Sequence, residues 1–145
     1  MTHPRMPVKF LPDVALADVA YEATASSLQV LFEECARGLT EVMVDPKTVR
    51  AREKRTLRVS SEDTDRLLYD FLTELIILKD TDSILFKSYS VKLGKDAKSL
   101  VCAASGEVID RERHDLRNDA KAVTMHMFGI RQEGRTWKAT IVLDI

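Results

Sequence analysis

Two aspartates near opposite ends of the sequence, Asp18 and Asp144, are the residues best suited to chemistry. Side chains alternate along a strand, and each aspartate falls on the more polar face of a strand-like run. The sequence ends at Ile145, whose α-carboxylate would lie beside Asp144. Carboxylate oxygens suit hard cations such as calcium, magnesium or manganese. The alternative is two unrelated surface aspartates, because their proximity depends on the order of strands in the sheet.

Lys121 and His126 are further candidates in one strand-like run. Lys121 shares a predicted face with Val123, Met125 and Met127, so it is either a strand-end lysine with its ammonium group in water or a cation placed for function. His126 points to the opposite face. It is either a hydrogen-bonded, partly buried histidine or a residue that supports the site.

Residues 119–145 predict the β-hairpin that carries most of these candidates. Two alternating runs flank the polar turn Gln132-Glu133-Gly134-Arg135, a pattern typical of hairpins. The second run places four apolar residues on one face: Trp137, Ala139, Ile141 and Leu143.

Two amphipathic helices are predicted upstream. The first begins at Ser26, which forms a capping-box pattern with Gln29, and ends before Asp45-Pro46. Its apolar stripe includes Cys35, which we expect to be a buried core thiol. The second begins near residues 61–63 and ends near Lys79, with residues 80–83 as a turn.

The remaining segments complete one α+β domain over residues 1–145, with two helices packed on a mostly antiparallel sheet. Further strands are predicted at 8–11, from residue 17, around 57–59, at 84–93 and at 100–108. Residues 1–7 are expected to be a loose lead-in. Cys102 is expected in the core.

The composition argues against several classes of protein, among them general nucleic-acid binders and membrane-spanning proteins. The net charge is −1, from 22 basic and 23 acidic residues, which argues against general nucleic-acid binding through bulk charge. The basic run at 50–55 is either an RNA-facing patch or a charged edge strand that discourages pairing between sheets. No apolar stretch is long enough to span a bilayer. Two cysteines do not make a disulfide framework, and we expect a reducing, cytoplasmic location.

Enzyme motifs are absent from the sequence. The five glycines form no phosphate-binding loop, and no Gly-x-Ser-x-Gly elbow occurs. The three histidines, His3, His114 and His126, do not pair with the cysteines at zinc-ligand spacing. A metal-dependent enzyme is therefore the weakest of the functional hypotheses.

Several stretches together resemble the archease family. They are Ala17-Asp18-Val19, the helix SLQVLFEECARGLTEVMVDP, LLYDFLTELIILKDT at 67–81, His114-Asp115-Leu116, Lys121-Ala122-Val123-Thr124-Met125-His126 and the ending Val142-Leu143-Asp144-Ile145. The resemblance covers nearly the whole chain.

The resemblance implies an α+β protein cofactor, itself not an enzyme, for the RtcB-type GTP-dependent RNA ligase that joins tRNA halves. Such a cofactor promotes ligase guanylylation and repeated turnover. The family positions that bind metal match Asp18, Asp144 and the C-terminal carboxylate of Ile145, and a functionally important lysine matches Lys121. Calcium is the first choice of metal, with magnesium or manganese as alternatives. Contact with RNA would be indirect or made through the ligase, and no membrane partner is implied.

One segment departs from the family pattern. Many archeases read Asp-His-Thr-Ala-Asp-Val where this sequence has Val14-Ala15-Leu16-Ala17-Asp18-Val19, and the nearest acid, Asp13, is displaced by one position. Asp13 is therefore only a supporting candidate, as is His126. The alternative function is a chaperone-like modulator of another tRNA-processing enzyme, such as a tRNA methyltransferase.

Overall fold

The computed structural model describes residues 7–11 and 18–145, which form seven strands and two α-helices. Residues 1–6 and the predicted supporting ligand Asp13 lie outside the described residues. In chain order the elements are β1 (Val8–Leu11), β2 (Asp18–Ala25), α1 (Leu28–Met43), a 3-10 turn (Pro46–Thr48), β3 (Glu53–Ser60), α2 (Thr64–Asp82), β4 (Ile84–Leu93), β5 (Ser99–Val108), β6 (Ala122–Glu133) and β7 (Thr136–Asp144).

The strands divide between two antiparallel sheets. One has the order β1-β2-β7-β6 and the other β3-β5-β4. The predicted α+β class is confirmed, but the sequence analysis expected one sheet rather than two. Strand periodicity shows which residues share a face, and it carries no information on which strands become neighbours.

Helix α1 contacts both sheets and fills the space between them. Its N-cap is Ser27, whose side chain accepts from Val30 N at 3.2 Å, so the predicted start at Ser26 is wrong by one residue. Gln29 is not part of a capping box. Its Oε1 accepts from Leu93 N at 3.2 Å, on an outer strand of the three-stranded sheet. Cys35 is fully buried, as predicted.

Helix α2 is longer than the sequence suggests. It runs from Thr64 to Asp82 and ends at Ser83, which has a left-handed φ of 53°. The predicted turn at 80–83 is therefore wrong, although three of its four residues favour turns. Two contacts hold the last helical turn: the Lys79 side chain bonds to Ala120 O at 2.8 Å, and Arg55 Nε lies 3.5 Å from Asp82 Oδ2.

A bulge interrupts β6. Thr124 pairs with Val142 and Gly129 pairs with Thr140, so five steps along β6 match two along β7 and three extra residues are accommodated. The continuous alternation predicted for this strand is wrong here. Met127 has a left-handed φ of 59° at the bulge.

Candidate functional site

Strand pairing brings the two candidate aspartates together. In the antiparallel ladder of β2 and β7, Asp18 is the direct partner of Asp144. Directly opposed residues have Cα atoms about 4.5–5.5 Å apart and side chains on the same face. Both aspartates are half-buried, and the next pair, Val19 and Leu143, leads into the core. The sequence alone did not show whether the two aspartates are neighbours, and the strand pairing shows that they are.

Strand β6 completes the site on the other side of β7. Ala122 pairs with Asp144, and Lys121 N donates to Asp144 O at 2.8 Å. Lys121 therefore lies directly before β6, at the level of the two aspartates, and it is exposed. We call the cross-strand pair Asp18 and Asp144 the carboxylate site, and Lys121 lies at its border.

The apolar row of Val123, Met125 and Met127 predicted beside Lys121 is only partly buried, since Val123 lies in the core and the two methionines do not. Met125 is 56% exposed and Met127 54% exposed, because the bulge turns this part of β6 away from the regular ladder. His126 lies in the same bulge and is exposed, so it is not a partly buried histidine. The structure does not bring His126 into the row formed by Asp18 and Asp144.

A buried lysine holds the chain in front of Lys121. The Lys79 ammonium group donates to Asp119 and to Ala120 O, and it lies 2.7 Å from Asp80 Oδ1. Burial disfavours the charged form, but hydrogen bonds to Asp119 and Asp80 outweigh it and raise the Lys79 pKa above its ordinary value. The sequence analysis placed Lys79 only near a helix end and missed this role.

The connection between β5 and β6 is fixed by a buried carboxylate. Glu107 accepts from Arg113 at 2.5 Å, from His114 Nε2 at 2.7 Å and from Arg50 N at 2.8 Å. Asp110 N donates to His114 Nδ1 at 2.8 Å, so the ring proton lies on Nε2. The Arg113 hydrogen bond is the largest influence on Glu107, and with His114 it overcomes burial and lowers the Glu107 pKa to about 2.

The sequence did not predict this cluster, because His114 was considered as a zinc ligand and as part of a family motif, and not as a donor to a buried carboxylate. A usable signal was present: Glu107 is the last residue but one of the predicted strand 100–108, and Arg113 and His114 follow within seven residues. A carboxylate that becomes buried requires such donors.

The donor set fits a hard cation. Within residues 7–11 and 18–145, no group of three or more His, Cys, Asp or Glu side chains could hold a metal ion. The described side chains thus supply two paired carboxylates at this edge of the sheet, Asp18 and Asp144. All of these donors are oxygen, which favours calcium, magnesium or manganese over soft metals.

The two cysteines are not placed for nucleophilic chemistry. Both are free and buried. Burial raises the pKa of the Cys35 thiol, and it raises that of Cys102 to about 12, so neither is a thiolate at neutral pH.

No helix in the described part of the chain is long and apolar enough to cross a membrane.

Comparison with known proteins identifies one family. A model of the Archease protein family matches residues 10–145. Protein archease from Methanothermobacter thermautotrophicus is 40% identical over 131 residues, covering 89% of this chain and 93% of that relative. Protein archease from Thermococcus gammatolerans is 38% identical over 133 residues, with the same coverage.

Two solved structures share the fold. The solution structure of Methanobacterium thermoautotrophicum protein 1598 has a TM-score of 0.83 and 38% identity, covering 96% of this chain and 99% of that one. The crystal structure of an archease, described as a possible chaperone, from Thermotoga maritima has a TM-score of 0.64 over the full length of both chains. At 21% identity the second likeness concerns the fold alone.

Proposed function

This chain belongs to the archease family, and we propose that it is a non-catalytic protein cofactor of a GTP-dependent RNA ligase of the RtcB type. In this proposal it promotes guanylylation of the ligase and its repeated turnover in tRNA splicing and RNA repair. One observation supports it most: Asp18 and Asp144 are direct cross-strand partners, and Lys121 is bonded to the backbone of Asp144.

The carboxylate site would hold a divalent cation, with calcium as the first choice. Two carboxylates opposed on neighbouring strands repel each other unless a cation lies between them. When bound, such a cation would supply positive charge for phosphate oxygens in the ligase site. Lys121 adds a second positive charge at the border of the site, and its exposed side chain is free to meet a partner.

The scaffold around these residues limits their motion. Lys79 bonds to Ala120 O, one residue before Lys121, and Val19 and Leu143 lie against the core directly beside the aspartates. Residues that are held in place lose less conformational entropy when a partner binds. The chain therefore presents a preformed edge to the ligase, and no nucleophile of its own takes part.

We place this activity in the cytoplasm, where the ligase substrates are cleaved RNAs. Two free, buried thiols are compatible with a reducing compartment.

Multiple-turnover ligation by the RtcB-type ligase of the same organism tests the proposal. The wild-type protein, added at substoichiometric amounts with an untagged C-terminus, should raise both guanylylation and turnover. Asp144→Asn should lower this activation at least about tenfold, because it replaces an anionic carboxylate at the cation site by a neutral amide. The matched control is Glu74→Gln, which neutralises an exposed acid on α2 and should activate like wild type.

Full activation by Asp144→Asn would remove the metal role from the proposal. No effect of the wild-type protein on guanylylation would reject the ligase role itself. A chaperone-like modulator of another tRNA-processing enzyme, such as a tRNA methyltransferase, would then be sought among proteins that bind Asp18→Asn and wild type equally.

A further inference from the structure

The outer face of the three-stranded sheet carries cations on both of its outer strands. In the register, Arg58 on β3 and Lys92 on β4 both pair with Val101 on the central strand β5, so the three side chains share a face. Lys54 lies four residues before Arg58 and projects from the same side. We call Lys54, Arg58 and Lys92 the cationic face, and all three are exposed.

No acidic side chain balances this charge. Between the three cations, the face carries serine, threonine, alanine and valine side chains, and none of the three cations forms an ion pair within the described residues. The other arginine of β3 behaves differently. Arg55 lies 3.3 Å from Glu53 and 3.5 Å from Asp82, so its charge is already partnered.

The basic run seen in the sequence therefore separates into two parts. Arg52 lies 4.0 Å from Glu107, at the end of the sheet, whereas Lys54 and Arg58 point outward. Strand β3 is an edge strand, as one sequence hypothesis proposed. Charges that only protect an edge strand from pairing would be expected on that strand alone. Lys92, however, adds a cation from β4, the outer strand on the other side of the same sheet.

The spacing of these cations suits an extended polyanion. Neighbouring strands are about 4.8 Å apart, which places Arg58 and Lys92 about 10 Å from each other across the face. Lys54 and Arg58 are about 13 Å apart along their strand, at about 3.3 Å per residue. The central strand presents only Ser105, Ala103 and Val101 between them, so no large side chain blocks the approach. A groove of about 420 Å³ lies at one end of the face and is lined by Arg58 and Lys92.

The four-stranded sheet provides an internal contrast. Arg131 lies 2.5 Å from Glu22 and 3.0 Å from Glu133, and Lys138 lies 3.5 Å from Glu133. The cations of β6 and β7, Arg131 and Lys138, are thus paired with acids of the same sheet. Exposed cations on the other sheet are left for an external partner.

We propose that the cationic face binds the phosphodiester backbone of single-stranded RNA. The choice of RNA among polyanions rests on the proposed function, in which the partner enzyme joins RNA ends. Hydroxyl groups of Thr56, Ser88 and Ser90 lie on the same face and can donate to phosphate oxygens. None of the side chains on the face is aromatic, so base stacking is absent and the binding is independent of sequence.

The test uses the full-length protein and a fluorescein-labelled 20-nucleotide polyuridylate. Binding is followed by fluorescence anisotropy at several sodium chloride concentrations. The triple variant Lys54→Ser, Arg58→Ser, Lys92→Ser should bind at least tenfold more weakly at low salt. Its salt slope should fall by about 2, because each lost phosphate contact removes about 0.7 from the slope for single strands.

The matched control removes the same charge elsewhere: Lys47→Ser, Arg66→Ser, Lys138→Ser. It should keep the wild-type affinity within about twofold. An equal loss in both triple variants would show that only net charge matters and would overturn the proposal. Wild-type affinity in the first triple variant would also overturn it.

An acidic protein surface is the competing partner. If the first triple variant loses affinity for polyglutamate but not for polyuridylate, the face binds protein rather than RNA and the proposal is wrong. Guanylylation of the ligase is measured without RNA, so a failure of the cationic face is distinguishable from a failure of the proposed cofactor function.

Discussion

The carboxylate site and the cationic face are both open to solvent, but their charges are arranged in opposite ways. At the carboxylate site, two like charges are direct cross-strand partners, Asp18 and Asp144. On the cationic face, like charges are separated by a strand of small residues. Direct opposition suits one small ion, whereas wide separation suits a long polyanion. A net charge of −1 conceals both arrangements, because it sums over the whole surface.

The two regions also differ in how they are supported. Lys79, buried behind the carboxylate site, fixes the chain at Ala120. The cationic face has no comparable anchor, and its side chains project freely from a regular ladder. A single metal ion requires donor atoms that are held in place, whereas a flexible polyanion can adapt to mobile side chains.

Among the substitutions that should affect the carboxylate site and not the cationic face, Lys79→Met is expected to have the largest effect on stability. This change keeps the apolar stem but removes the hydrogen bond to Ala120 O and the contacts with Asp80 and Asp119. We expect a loss of about 1–2 kcal/mol in the free energy of unfolding, measured by urea denaturation. Calcium affinity should fall as well, while polyuridylate affinity should not change.

Lys47→Met is the control for this prediction, since Lys47 is exposed on the 3-10 turn. It should change stability by less than about 0.5 kcal/mol. A Lys79→Met protein with unaltered calcium affinity would show that the carboxylate site does not depend on the anchor behind it.

A smaller effect is expected from neutralising one charge in each region. Asp18→Asn should raise the stability of the metal-free protein by about 0.5 kcal/mol, because it removes repulsion between directly opposed carboxylates. Arg58→Ser should change stability by less than that, since Arg58 has no close cation beside it. Thermal unfolding in excess chelator measures both, and a destabilised Asp18→Asn protein would contradict the repulsion on which the contrast depends.

Much of the fold could be predicted from local patterns. The bounds of β1 and β4, the two amphipathic helices and the burial of Cys35 and Cys102 follow from periodicity and turn residues. The division into two sheets could not be predicted, because it depends on long-range pairing. The end of α2 was missed for a similar reason: Lys79 and Asp82 gain tertiary contacts that outweigh the turn preference of residues 80–83.

The candidate site was predictable in part. Alternation placed Asp18 and Asp144 on polar faces, and only the register of β2 with β7 showed that they are partners. The bulge in β6 could not be predicted, because all residues of this run suit a strand. The exposure of His126 within the bulge was therefore not predicted either. Lys79 and Glu107 are charged residues near the ends of α2 and β5, and their burial follows from distant segments packing over them.

Whether Asp18 and Asp144 hold a cation is decided by calcium titration of the wild-type protein and of Asp144→Asn, by isothermal titration calorimetry at neutral pH. We expect one bound ion for the wild type and an affinity at least about tenfold lower for the variant. We also expect wild-type calcium affinity for the triple variant of the cationic face. Equal calcium affinity in wild type and Asp144→Asn, or no binding of calcium, magnesium or manganese by the wild type, would contradict a cation site at this pair.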